Sequence, residues 1–275
     1  RTMRFDFVMA GNSTTTKVYP VSIREEPFLG VSLTNLIDPF GYGNFRYEIL
    51  DAVTGKLIYS RGFSTLYQEW QTTAEAKQME RVFHEVATFP FPKNKVNFVL
   101  SIRGRDCQFS KLYETAIDPA SYFITREKPD ASLATRIAGT GDPHTSLDIA
   151  FIAEGYTSSE MEKFRNDVKR MGEIILAEAP FDKYADRINI WAVQAPSQES
   201  GTDVPGEGIY VNTALSASYY TFDVDRYLTT QDIRRVNDYA AAAPHDQIIV
   251  LINSPRYGDL GIVHDRREVN PADAT

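Results

Sequence analysis

Hydrophobic and polar residues alternate along several short segments of the first 126 residues. In the first segment, the apolar positions that share one face are Met3, Phe5, Phe7 and Met9. Three further segments alternate in the same way: residues 45–49, 56–60 and 96–102. A period of two predicts β-strands, and several short strands separated by turns are typical of an antiparallel β-sandwich.

The pattern changes after residue 146 to a buried strand followed at once by a helix. Residues 147–156 form an apolar run closed by Gly155, which predicts a strand buried on both faces. Thr157 and Glu160 have the spacing of a capping box at a helix N-terminus. The apolar stripe of that helix consists of Met161, Phe164, Val168, Met171 and Ile175. Residues 154–156 therefore lie at the carboxyl end of a strand, where open α/β sheets place their sites.

Two more apolar runs, 188–193 and 247–253, predict buried strands. Residues 233–243 have the period of a second helix, for which Thr229 or Thr230 is the expected cap. Strands that alternate with helices predict a mainly parallel sheet with right-handed connections. The polar stretch 196–212 is long for a loop in a compact domain, and loops of that length are often functional.

These patterns predict an α+β protein with two domains. The first is an N-terminal antiparallel β-sandwich at residues 1–126, and the second is an α/β domain at residues 147–275. Residues 127–146 are charged and rich in turn residues, which favours a linker.

Composition narrows the classes of function. The net charge of −8 argues against nucleic-acid binding, because phosphate binding needs a basic face and no Lys/Arg cluster is long enough to supply one. No apolar run approaches the roughly 18 residues of a membrane span. Cys107 is the one cysteine, so an internal disulfide and a cysteine zinc knuckle are both excluded. Residues 1–5 lack the apolar segment of a signal peptide, although a signal could have been removed before this numbering starts.

Aromatic residues of the first domain allow two interpretations. Tyr42, Phe45, Tyr67 and Trp70 could line a sugar-binding face. The core of a β-sandwich uses the same residue types, and this is the more common role. In the second domain, exposed and unpacked rings at Tyr219, Tyr220 and Phe222 would favour a binding module.

Several segments resemble one family, the bacterial IgA-peptidase family of zinc metallopeptidases. The similar segments are 148–160, 191–193, 199–205, 248–253 with 257–258, and, in the first domain, 45–62 and 69–73. The resemblance covers most of the chain and implies a zincin-like fold for the second domain. It also implies a protein or peptide substrate, cleaved by a zinc-activated water. Residues of the cleft would include Glu199 and Asp203 in the loop, and Tyr257 and Gly258 after the last strand.

The catalytic motif of that family is absent from this sequence. A His-Glu-x-x-His helix places two imidazoles one turn apart on one zinc, with the glutamate as general base. The 275 residues contain no such motif, and Thr275 is about where the helix would begin. His264 and Glu268 are four residues apart and are the nearest substitute, but Pro271 limits a helix there and no third ligand is apparent.

The sequence therefore predicts a secreted, periplasmic or cell-surface member of a zinc metallopeptidase family. This chain is expected to be truncated or inactive, with no catalytic residue and no bound zinc. The alternative is a non-catalytic module that binds a protein or a glycan. A third hypothesis is a real metal site at His264 and Glu268.

Overall fold

The computed structural model describes residues 1–28, 34–260, 262–263 and 266–269. The chain divides into two compact units, Arg1–Lys128 and Pro129–Thr275. The first is built of antiparallel sheets, and the second around a mixed, mostly parallel sheet.

The first unit contains seven strands among its described residues. They are β1 Thr2–Gly11, β2 Thr16–Glu26, β3 Phe45–Asp51, β4 Leu57–Phe63, β5 Arg81–Pro90, β6 Val96–Arg103 and β7 Phe109–Ile117. They form one sheet in the order β2-β1-β5 and another in the order β4-β3-β6-β7, and all pairs are antiparallel. A short helix, α1 (Leu66–Trp70), and a 3-10 turn, Glu75–Lys77, connect the two sheets.

Aromatic side chains fill the space between these two sheets. The predicted inward face of β1 is confirmed, since all four of its apolar residues are buried. Phe5 of β1 meets Phe98 of β6 with ring centroids 4.6 Å apart, which joins the sheets. Four aromatic residues were candidates for either a sugar-binding face or the core. Phe45, Tyr67 and Trp70 are buried in the core, and Tyr42 is exposed.

The opposite face of β1 is buried as well, although the alternating pattern of apolar and polar residues predicts that it is exposed. Arg4 donates from Nε to Asp6 Oδ1 at 2.6 Å, and both side chains are almost completely buried. The Ser22 hydroxyl donates to the other Asp6 oxygen at 2.7 Å. A buried ion pair is tolerated only when further hydrogen bonds satisfy its remaining atoms, as they do here.

The second unit has eight strands among its described residues and two longer helices. The strands are β8 Ala134–Ala138, β9 Leu147–Glu154, β10 Ile188–Val193, β11 Tyr227–Leu228, β12 Gln247–Ile252, β13 Asp259–Leu260, β14 Ile262–Val263 and β15 Arg266–Val269. The helices are α2 Met161–Ala177 and α3 Ile233–Ala240. Short 3-10 segments lie at Ala131–Leu133, Ser158–Glu160, Phe181–Arg187, Pro205–Glu207 and Thr221–Asp223.

The main sheet has the order β14-β15-β12-β9-β10-β8, with β9 at its centre. The strands β10, β9, β12 and β15 run parallel, as predicted, while β8 and β14 are antiparallel to their neighbours. The residues of β9 are buried except for half-buried Leu147, which confirms a strand covered on both faces. The strands β11 and β13 pair separately.

The helix boundaries confirm one predicted cap and correct another. The capping box of Thr157 and Glu160 is present, with the Thr157 N–H donating to the Glu160 carboxylate at 2.8 Å. The cap of α3 is Asp232 rather than Thr229 or Thr230, because its carboxylate accepts from the Arg235 N–H at 3.1 Å. Both threonines are buried. The Thr229 hydroxyl bonds with the Thr221 hydroxyl, and the Thr230 hydroxyl donates to the Leu215 carbonyl.

Part of the predicted linker, residues 127–146, belongs to the main sheet. Strand β8 lies inside it and pairs with β10 at the edge. The Arg136 guanidinium covers the Trp191 ring at 4.5 Å from its centroid. The segment has no long apolar run because an edge strand needs only one apolar face. Within the part of the chain that the structure describes, no helix has the length and apolarity to cross a membrane.

Candidate functional site at the carboxyl edge of the main sheet

Three loops meet where β9, β10 and β12 end. Because these strands are parallel neighbours, their carboxyl ends share one edge of the sheet. The loops are residues 155–157 after β9, residues 194–226 after β10, and residues 253–258 after β12. We refer to this region as the sheet edge.

Glu154, the last residue of β9, holds the middle of the long loop. Its side chain is completely buried. One carboxylate oxygen accepts from the Thr213 hydroxyl at 2.6 Å and from the Ala217 N–H at 2.8 Å, and the other accepts from the Leu215 N–H at 2.7 Å. Burial raises the pKa of Glu154, against the lowering effect of these hydrogen bonds. Both carboxyl oxygens therefore have hydrogen-bond partners within the protein.

Gly155 makes the turn that leaves β9. Its φ of +73° lies in the left-handed region, and a Cβ there would come 2.0 Å from the Gly201 carbonyl oxygen. The Gly201 N–H donates to the Gly155 carbonyl at 2.9 Å. The buried Ser197 hydroxyl accepts from the Gly155 N–H at 3.1 Å and from the Ala214 N–H at 2.9 Å. Only glycine allows two backbones to approach this closely.

Asn253 connects the loop after β12 to the start of α2. Its side-chain amide donates to the Gly155 carbonyl at 3.1 Å and to the Ser200 hydroxyl at 3.0 Å. Its carbonyl accepts from Lys163 Nζ at 2.9 Å. Burial acts to raise the pKa of Glu160, but hydrogen bonds from Thr157, Ser200 and Asn253 outweigh it and lower that pKa. The Asn253 side chain thus bridges the Glu160 carboxylate and the Lys163 ammonium at the sheet edge.

Tyr219 joins the long loop to the residues after β12. Its N–H donates to the Asp203 carbonyl at 3.0 Å, and its hydroxyl donates to the Arg256 carbonyl at 2.7 Å. The Arg256 guanidinium covers its ring at 5.2 Å from the centroid and also pairs with Glu207. Gly258 packs against the same ring, since a Cβ there would lie 3.2 Å from it.

The four predicted cleft residues all lie in these loops. The Glu199 carboxylate accepts from the Asn212 N–H at 2.6 Å, and the Asp203 carboxylate accepts from the Val211 N–H at 2.7 Å. Both acids therefore hold residues 211–212. Tyr257 is exposed, while Gly258 lies beside Tyr219. Contact with a substrate stays a prediction for all four.

The described residues do not fit a catalytic metal. Among them, no group of three His, Cys, Asp or Glu side chains lies close enough to hold an ion. Glu268 lies in strand β15 rather than in a helix. His264 falls outside the described residues, so a metal site of these two residues stays a hypothesis.

Sequence reasoning missed several residues that build the sheet edge. Ser197, Asn253 and Arg256 come from loops in which nothing in the local pattern marks them. The role of Glu154 could have been predicted, because a carboxylate at the end of a buried strand needs hydrogen-bond partners. Exposed rings at Tyr219, Tyr220 and Phe222 would have favoured a binding module. In the structure Tyr219 is buried, and Tyr220 and Phe222 are half-buried.

Two models of known families match the chain, one in each compact unit. Residues 1–114 match the family model described as Peptidase M64 N-terminus, and residues 135–273 match the model described as IgA Peptidase M64. No curated protein matches the chain. The second match spans the main sheet and all three loops of its carboxyl edge. The chain therefore belongs to the IgA peptidase M64 family of metallopeptidases.

Proposed function

We propose that the chain is the peptide-binding scaffold of a metallopeptidase, with its cleft at the sheet edge. In this proposal the first unit is a β-sandwich and the second has a zincin-like fold. Family membership makes a protein or peptide the substrate. The proposal rests on one observation: both oxygens of the Glu154 carboxyl bind residues 213–217, which holds the long loop beside the end of β9.

The proposal assigns binding to these residues, and not hydrolysis. The 275 residues contain no His-Glu-x-x-His motif, and their described part has no cluster of metal ligands. We therefore propose that these residues alone hold no catalytic zinc, and we derive no catalytic step from them. Family membership also leads us to propose a secreted, periplasmic or cell-surface location, which fractionation of the producing cells tests.

A photo-crosslinker at the sheet edge is expected to capture peptide. Tyr257 is exposed on the rim, so its replacement by p-benzoylphenylalanine places a reactive ketone there without disturbing the core. Irradiation with fluorescein-labelled casein peptides is expected to give a labelled adduct at position 257. The measurement is in-gel fluorescence followed by peptide mapping.

Tyr184 provides the matched control. It is an exposed tyrosine in Phe181–Arg187, the segment that leads into the amino end of β10 and so lies at the opposite edge of the sheet. The same replacement there is expected to give only background labelling. Equal labelling at both positions, or none at position 257, would count against the proposed cleft.

A further inference from the structure

Two large aromatic side chains project into solvent from the loop between β2 and β3. Phe40 is 71% exposed and Tyr42 is 74% exposed. Their rings are nearly parallel, at 12°, with centroids 5.5 Å apart. We call this pair the aromatic platform. Exposed single apolar residues are ordinary on protein surfaces, whereas two stacked rings that both remain mostly exposed form a larger apolar surface with ring faces open to solvent.

Hydrogen bonds with two side chains fix the backbone of the platform. Asp38 accepts from the N–H groups of Phe40 and Gly62 at 2.9 and 3.0 Å through its two carboxylate oxygens. Arg103 donates from Nε to the Gly43 carbonyl at 3.0 Å and also binds the Gly41 carbonyl. The segment of residues 38–43 is therefore fixed to β4 and β6. These bonds order the backbone that carries the rings before any ligand binds, which lowers the entropy cost of binding.

A turn with exposed polar residues lies beside the segment that contains the platform. Arg103 also donates to the Cys107 carbonyl at 3.2 Å, which places the turn of residues 104–108 beside the loop of the platform. That turn is exposed and contains Arg105 and Gln108, and Asn44 is exposed two residues after Tyr42. The side chains of these residues carry hydrogen-bond donors and acceptors that are open to solvent.

The size of the platform decides between classes of partner. Two aromatic side chains offer about 300–500 Å² at most. A stable protein interface needs about 800 Å² from each partner, so two rings in a polar rim fall short of one. A pyranose ring fits better, because its axial C–H groups carry partial positive charge and face a π-cloud while its hydroxyls reach polar neighbours.

We propose that Phe40 and Tyr42 form a binding site for a neutral β-linked glycan. Equatorial linkages keep both faces of each sugar flat, which suits stacking on parallel rings. Asn44, Arg105 and Gln108 are the groups placed to bind the hydroxyls. This site lies in the first unit and does not depend on the proposed peptide cleft.

The test is isothermal titration of the full chain with cellohexaose, chitohexaose and xylohexaose. At least one is expected to bind, and the double variant Phe40→Ala/Tyr42→Ala is expected to weaken that binding about tenfold or more. The matched control is Tyr122→Ala/Phe123→Ala, a second exposed ring pair at 84% and 77% with centroids 4.1 Å apart. It is expected to leave the affinity unchanged within about twofold.

Three outcomes would overturn the proposal. The first is that the parent chain binds none of the three hexasaccharides at millimolar concentration. The second is an equal loss in both double variants, which would indicate nonspecific adsorption. The third is concentration-dependent self-association that disappears in Phe40→Ala/Tyr42→Ala while sugar binding does not, which would assign the platform to a second copy of the chain. Circular dichroism of all variants verifies that each is folded.

Discussion

Glu154→Ala is expected to lower the free energy of unfolding by about 3–5 kcal/mol. The substitution leaves three buried donors without an acceptor, namely the Thr213 hydroxyl and the N–H groups of Leu215 and Ala217. Each unsatisfied buried donor costs about 1–3 kcal/mol, and water entering the vacated space recovers part of that cost. Urea unfolding followed by circular dichroism measures the change.

Hydrogen exchange gives a local measure of the same substitution. The amides of residues 215 and 217 are expected to lose protection, because Glu154 is their acceptor. Glu154→Gln keeps the shape but turns one acceptor oxygen into a donor, so an intermediate cost of about 1–3 kcal/mol is expected. Glu173→Ala, at an exposed position of α2, is the control and should stay within about 0.5 kcal/mol. An unchanged free energy of unfolding in Glu154→Ala would show that the carboxyl does not hold the loop.

Gly155→Ala is expected to cost about 3 kcal/mol or more. An alanine at this φ is strained, and its Cβ would come 2.0 Å from the Gly201 carbonyl oxygen and 2.9 Å from the carbonyl carbon. Since both atoms are backbone, relief requires the loop after β10 to move and to lose its hydrogen bond to Gly155. The unfolding midpoint in urea measures the loss.

Gly208→Ala separates conformational strain from collision. Gly208 has a similar φ of +70°, but a Cβ there meets nothing within 4 Å. Its cost should be limited to the left-handed conformation, about 1–2 kcal/mol. Equal costs for the two variants would mean that residues 155 and 201 are not in close contact, and the described geometry of the sheet edge would then be wrong.

Local patterns were sufficient for the parts of the fold that depend on neighbouring residues. Alternation identified the buried face of β1, and an apolar run identified β9. The spacing of Thr157 and Glu160 identified the start of the helix. These features rest on contacts within one element, or between one element and a core of any shape, so a pattern of residue types is enough to predict them.

Features that depend on distant residues were not predictable in the same way. Glu154 binds residues that are 59 to 63 positions away, and no local signal pairs them. Arg4 and Asp6 alternate with apolar residues as an exposed face would, yet they are buried as an ion pair. Strand β8 lies in a segment with the composition of a linker. In each case the tertiary context overrides the local preference.

Chain patterns indicated the region of the candidate site, namely the end of the strand at residues 154–156 and the long loop 196–212, but its individual cleft residues came only from the family resemblance. That resemblance placed Glu199, Asp203, Tyr257 and Gly258 in the loops where the structure finds them. It could not indicate that the two acids already hold residues 211–212. Carboxylates of a loop are equally suited to bind a substrate, a cation or the loop itself, and only coordinates distinguish among these roles.

Hydrolysis and zinc content, measured together on one preparation, test whether these residues hold a catalytic metal. The full 275-residue chain is stripped of metal, incubated with zinc, dialysed, and assayed on fluorogenic casein with and without a chelator. We expect less than stoichiometric zinc and no cleavage above the protein-free blank. Stoichiometric zinc that is lost in His264→Ala, or cleavage that the chelator abolishes, would contradict the claim that these residues form a scaffold without a catalytic metal.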